Sequence, residues 1–189
     1  MDREAGVHRR AVIGGATAAA GLTTSTLAGA AGLDAGPRLG PIVETADGKV
    51  RGYVAGGIHT FRGLRYGATT GGANRFKPPV RPAPWTGVME TLIAGGGSIA
   101  PQVLPKGPNY EETRPDSPPM SEDCLFLNLF TPGVDGAKRP VMVYLHGGAW
   151  STGSGVADLF DGTRLSRRGD TVIVSINHRL NLFGYLYLA

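Results

Sequence analysis

The chain has 189 residues, 41% of them hydrophobic and 18% charged, which excludes a disordered or fibrous protein and allows one domain with a real core. The formal charge is +4 and the pI about 9.5, but basic doublets occur only at Arg9-Arg10, Lys138-Arg139 and Arg167-Arg168. With no basic stripe interleaved with aromatics, nucleic acid is excluded as a partner. With a single cysteine, Cys124, so is an internal disulfide.

Residues 1–31 read as an address. A polar start ends in His8-Arg9-Arg10, an uncharged stretch rich in Ala, Gly and Thr follows, and Ala28-Gly29-Ala30 is a small-x-small cleavage pattern. Arg9-Arg10-Ala11-Val12-Ile13 resembles a twin-arginine motif, which exports folded proteins. The expectation is export to a bacterial periplasm or beyond, with no membrane span in the mature chain. A plain N-terminal extension and an uncleaved anchor are the alternatives. Ala, Gly and Thr supply too little transfer energy for a stable span.

The β-prone runs Ile42–Thr45, Lys49–Tyr53 and Ile58–Phe61 are separated by Ala46-Asp47-Gly48 and Ala55-Gly56-Gly57, hairpin spacing that predicts a small antiparallel meander. Phe61 to Trp85 is loop-like, with Gly71-Gly72 and four prolines. Glu90–Ala94 is a short strand. Pro101–Ser121, again proline-rich, is a long surface loop of the kind that carries function or lacks order. Leu125–Phe130 is a strand. Val141–Leu145 is a strand with no polar alternation, which predicts burial on both faces. Asp161–Arg168 is a short helix capped by Gly169, and Thr171–Ile176 is a second apolar strand. Strand, glycine turn, helix, strand is a right-handed βαβ unit.

The chemistry concentrates where Val141–Leu145 runs into His146-Gly147-Gly148-Ala149-Trp150. A strand stopping at such a turn points backbone N–H groups outward, the way an oxyanion hole is built for ester hydrolysis. A glycine-rich βα turn without a ligand is the bland alternative.

Five stretches then stand in a familiar order. They are Phe61-Arg62-Gly63-Leu64-Arg65-Tyr66-Gly67; Arg75-Phe76-Lys77-Pro78-Pro79 leading to Pro84-Trp85-Thr86-Gly87; Ser121-Glu122-Asp123-Cys124-Leu125-Phe126-Leu127-Asn128-Leu129; His146 to Trp150; and Asn177-His178-Arg179-Leu180 to Phe183-Gly184-Tyr185. Over residues 40–189 the chain resembles the N-terminal part of the type-B carboxylesterases, the α/β-hydrolase group of cholinesterases and p-nitrobenzyl esterases.

The resemblance implies an α/β fold: the N-terminal part of an α/β-hydrolase, with a small antiparallel meander followed by the first strands of a mostly parallel sheet. It places Leu125–Phe130 beside Thr171–Ile176, and that strand beside Val141–Leu145, whose far edge would pair with the strand delivering the nucleophile. No Gly-x-Ser-x-Gly follows before Ala189, so the apolar edge of Val141–Leu145 is expected to be exposed.

By resemblance, the N–H groups of Gly148 and Ala149 are the oxyanion donors and Gly147 lets the loop turn. His146 serves structure rather than acting as base, and neither His59 nor His178 occupies the base position. Ser98 and Ser151 lie in degraded elbow-like sequences, without the strand-then-helix setting that a nucleophile needs. Nucleophile and base are therefore expected outside these 189 residues. Cys124 matches a family cysteine whose partner position falls near Ala100, so it is expected to be a buried free thiol. Arg75 and Glu122 resemble a buried structural ion pair, whose disruption would cost roughly 3–5 kcal/mol. Arg179 is expected to pair with an acid beyond residue 189. No tryptophan lies between Ala100 and Cys124, which argues for a general carboxylesterase rather than a choline-ester enzyme.

The implied function is a serine carboxylesterase working through an acyl-enzyme, acting on a small-molecule carboxylic ester with no cofactor or metal. In this chain it is represented by the oxyanion-hole part alone, which is expected to be inactive by itself. The alternatives are a non-catalytic α/β-hydrolase-like binding module and a pseudogene fragment.

Overall fold

Alternating burial builds the first sheet strands. The computed structural model describes residues 36–92, 98–103, 118–156 and 160–187. The address segment 1–31, the triple glycine before Ser98 and most of the Pro101–Ser121 loop lie outside them. In β2 (Lys49–Ala55), Val50, Gly52 and Val54 point inward while their neighbours are partly open, the period-2 pattern of a half-buried strand. β1 (Arg38–Glu44) and β3 (Ile58–Arg65) pair antiparallel on its two sides. The expected meander is present. Pro41, which cannot donate to a ladder, lies at a register shift in outer strand β1, where such a residue is tolerated.

The sheet order is β1-β2-β3-β5-β7-β6, where β5 is Phe126–Thr131, β6 Val141–Leu145 and β7 Val172–Ile176. The short strand β4 (Val88–Glu90) pairs with the first half of β2. β5 beside β7 beside β6 is the arrangement that the resemblance implied. The sheet was expected to be mostly parallel after the meander, but among these strands antiparallel pairs outnumber parallel ones: β3–β5 and β5–β7 are antiparallel, and parallel pairing is confined to β6–β7 and β2–β4. The reason is the short link 132–140. It is too short for a helical crossover, so β6 emerges running opposite to β5. The longer path through α1 (Thr163–Gly169) then brings β7 back parallel to β6. The helix ends on Asp170, which takes the left-handed conformation at φ 45°; Gly169, expected as the cap, is the last helical residue.

Two apolar clusters hold the sheet. Ile58, Phe130 and Ile173 form one, closed where Gly162, just before α1, packs on Phe130 and Ile173. Ala100, Cys124, Leu125 and Leu180 form the other.

β6 departs from expectation in burial. All five of its side chains are exposed, from 38% at Tyr144 to 63% at Leu145, although the apolar run predicted burial on both faces. Among the described strands β6 has β7 as its one partner, so the far edge is open, as the strand-order reading anticipated. An apolar strand in that position is a pairing hazard.

Candidate functional site

The chain leaves β6 at Leu145 and turns sharply. Gly148 has φ 125°, and Ala149 and Trp150 follow at 51° and 61°, three consecutive residues on the unfavourable side of backbone space. Ser151 and Thr152 donate their N–H groups to the Gly148 carbonyl at 3.0 and 3.1 Å and close the turn. The unusual backbone therefore starts at Gly148. Gly147, expected to let the loop turn, has open space where a Cβ would stand. At Gly148 a Cβ would lie 2.0 Å from the Thr152 carbonyl oxygen.

Folded this way, the Gly148 and Ala149 N–H groups donate to no protein acceptor among the described residues. They border a cavity of about 270 Å³, with His146, Trp150, His178 and Tyr185 among its walls. N–H groups left free beside such a space can hold a developing negative charge on oxygen.

The cavity's two imidazoles stack at 4.3 Å and 7°. His146 keeps its Nδ1 against the Gly147 carbonyl at 2.9 Å. Burial holds its pKa below the ordinary histidine value, and the neighbouring His178 adds to that, against the hydrogen bond to Gly147. His178 meets Tyr185 edge-on, with its Nδ1 3.2 Å from the Tyr185 hydroxyl. No serine hydroxyl bonds to either ring among the described residues. Ser151 donates to the Ala149 carbonyl at 3.2 Å, and buried Ser98 donates to the Asp123 carbonyl. Both are committed to backbone, in line with reading them as decoys. His59 sits on β3, where burial lowers its pKa.

The far end of the loop returns to the sheet at Gly155. Its N–H donates to Asn177 Oδ1 at 2.7 Å, and its carbonyl accepts from Ser175 Oγ at 2.9 Å and Asn128 Nδ2 at 3.2 Å. Asn128, Ser175 and Asn177 are all at most 2% exposed. Burying them is tolerated because their side chains are hydrogen-bonded to loop and strand backbone, chiefly that of Gly155. Asn128 Oδ1 also takes the Gly63 N–H at 3.0 Å, at the register shift of β3.

The segment Ser121–Leu129 fastens the strands around the site. Asp123 forms a two-pronged pair with Arg65, at 2.5 and 2.8 Å, while Arg65 lies over the Phe126 ring. Glu122 accepts both Nε (2.8 Å) and Nη2 of Arg75. That pair exists as expected, but the Arg75 side chain is 46% exposed. It is a surface pair, so the penalty for breaking a buried one does not apply. Arg75 holds the Glu122 carboxyl below its ordinary pKa. Arg179 donates to the Lys77 carbonyl at 2.8 Å. Cys124 is a free thiol with no exposed surface, and burial, seconded by the Asp123 charge, pushes its pKa up to about 11.

Two contributors escaped the sequence reading. Asn181 and Gln102 reach the loop from separate segments through their side-chain amides. Asn181 follows Asn177-His178-Arg179-Leu180, and nothing in that local pattern marked it. Nothing local marked Gln102.

A profile of the carboxylesterase family matches residues 40–189. The chain is 39% identical over 149 residues to a para-nitrobenzyl esterase of Bacillus subtilis and 42% identical over 146 residues to a phenmedipham hydrolase of Pseudarthrobacter oxydans. These alignments cover 78% and 77% of this chain and 29% of each relative, so the chain spans under a third of their length. Among solved structures, an esterase of Clostridium hathewayi, described as hydrolysing aliphatic aromatic polyesters, superposes with a TM-score of 0.68 at 43% identity, covering 78% of this chain and 29% of its own.

Proposed function

The chain belongs to the carboxylesterase family, and on that premise we propose that residues 40–189 supply the oxyanion-binding part of a serine-dependent carboxylic ester hydrolase. The fold is that of an α/β-hydrolase. The observation that carries the proposal is the pair of N–H groups at Gly148 and Ala149, without a protein acceptor among the described residues and bordering a cavity where β6 ends. In the proposed reaction a serine attacks the ester carbonyl. The two N–H groups stabilise the oxygen as it gains charge, the alcohol leaves, and water releases the acyl group from the serine. One such donor is worth about 3–4 kcal/mol in the transition state. That a folded turn holds two donors free favours a hydrolase over a binding module, which needs none.

Nucleophile and base are not assigned to the described residues. Their candidate serines are committed to backbone carbonyls, and the cavity imidazoles stack on each other. The 189-residue protein is therefore expected not to hydrolyse esters by itself. A fluorophosphonate probe, which labels an activated serine, checks this on purified protein: the expectation is no labelling, and stoichiometric labelling would overturn it. The same proposal places the mature protein outside the cytoplasm, on the strength of the Arg9-Arg10 segment. Replacing Arg9-Arg10 with Lys-Lys should retain it inside the cell; unchanged export would sink that part.

A further inference from the structure

Three successive residues at positive φ, Gly148 to Trp150, persist only where the surroundings over-determine them. The hydrogen bonds inside the turn, from Ser151 and Thr152 to the Gly148 carbonyl, close it without fixing how it sits on the sheet. The Gly155 anchor holds its far end, and two further amide side chains from outside hold the turn itself.

Asn181, the first residue of the short helix α2 (Asn181–Tyr185), donates its backbone N–H to the Trp150 carbonyl at 2.8 Å. Its Nδ2 donates to the Ser151 carbonyl at 2.9 Å and the Pro101 carbonyl at 3.1 Å. It reaches them from φ 55°, a conformation that asparagine tolerates better than most residues with a side chain. Gln102 grips the other end. Its Oε1 accepts the Gly153 N–H at 2.7 Å, and its Nε2 donates to the Gly153 carbonyl at 3.0 Å and the Ala100 carbonyl at 3.1 Å. Pro101 joins the two grips, preceding Gln102 and accepting from Asn181. Neither amide lines the cavity; both hold carbonyls and N–H groups of the loop's backbone.

We propose that Asn181 and Gln102 are positioning residues, a two-point amide clamp that keeps the Gly148 and Ala149 donors aimed into the cavity. The proposal rests on the oxyanion reading of those donors for its function, but the clamp can be measured separately. Asn181→Gly retains the left-handed backbone and the N–H bond to Trp150 while deleting the side-chain bonds, and Gln102→Ala deletes the other grip. Amide exchange followed by NMR on the full chain reads the clamp. In either variant the Ser151 and Thr152 amides should exchange about five- to tenfold faster, the effect of losing one net hydrogen bond on a local opening equilibrium. The Ile173 and Val174 amides of β7 should be unchanged. Unaltered loop exchange in both variants, or acceleration spread equally through β7, would overturn the clamp. So would global unfolding of both, since the residues would then hold the fold rather than the loop. If a single variant unfolds, the other decides.

Titration with phenylphosphonate, a tetrahedral oxyanion, separates the two claims. The Gly148 and Ala149 amide signals should respond in the unaltered chain and need more ligand in the variants. No response in the unaltered chain refutes the oxyanion reading and leaves the exchange result to decide the clamp. A response equally strong in the variants refutes the clamp alone.

Discussion

Alanine should be costly at Gly148 and nearly neutral at Gly147, although the two glycines are adjacent. At Gly148 the added Cβ stands 2.0 Å from the Thr152 carbonyl oxygen, against the 3.0 Å below which such contacts essentially never fall, a deficit of 1.0 Å. The φ of 125° is itself unfavourable for any residue with a Cβ, by about 1–3 kcal/mol. Taking the middle of that range, and about 2–4 °C per kcal/mol for a domain of this size, Gly148→Ala should lower the melting temperature by about 4–8 °C. If the loop relieves the clash by moving instead, the donors move with it, and a displacement of about 1 Å is enough to lose roughly a hundredfold in a positioned reaction. At Gly147 the Cβ meets nothing within 4 Å, so Gly147→Ala should stay within about 0.5 kcal/mol of the unaltered chain. Thermal melts followed by circular dichroism, with the Ala149, Ser151 and Thr152 amide signals as a local monitor, distinguish the pair. A Gly148→Ala protein with unchanged melting and unchanged loop signals would refute the reasoning, as would a Gly147→Ala protein that loses as much as Gly148→Ala.

The Cys124 thiol should resist a thiol-specific disulfide reagent in the native protein and react once denatured, because it has no exposed surface and its pKa is raised from 9.0 to about 11. The raised value favours the neutral thiol in the folded state, so its contribution is intact below pH 9 and is lost as pH rises toward 11. Urea melts across that window should show a shallower alkaline decline for Cys124→Ala, and an identical slope would sink the argument. Tyr66, pushed up to about 12 by burial first and by the Cys124 charge second, adds a later loss that the substitution reduces but does not remove. His146 should titrate below 6.5 by NMR, since burial disfavours its charged form. The neutral ring thus stabilises the fold above pH 6.5, and that contribution disappears as pH falls through the depressed value. A midpoint at or above 6.5 would contradict the burial of the ring against His178.

Local sequence determined what depends on neighbours along the chain. The β-prone runs Ile42–Thr45, Lys49–Tyr53 and Ile58–Phe61 and the glycine-containing links between them were enough for the meander, because strand propensity and turn residues act within a few positions. The His146–Trp150 turn was legible for the same reason: an apolar strand can stop and expose its N–H groups only where the backbone is freed. Cys124 was read as buried and free, and the structure agrees. Tertiary structure decided everything that depends on who the distant neighbour is. Val141–Leu145 reads as a core strand by composition, but composition does not say what lies beyond its edge, and its side chains are open. Arg75 and Glu122 do meet, yet their burial depends on how the 72–77 segment lies over the surface, and Arg75 faces solvent. Gly147 and Gly148 are indistinguishable as letters. They differ because the Thr152 carbonyl packs against one and leaves the other free. Gln102 and Asn181 are 79 residues apart in number, and each makes hydrogen bonds that only the folded chain can bring within reach. Propensity is local and packing is not, so the turn could be read from five residues while the contacts that hold it had to be read from the fold.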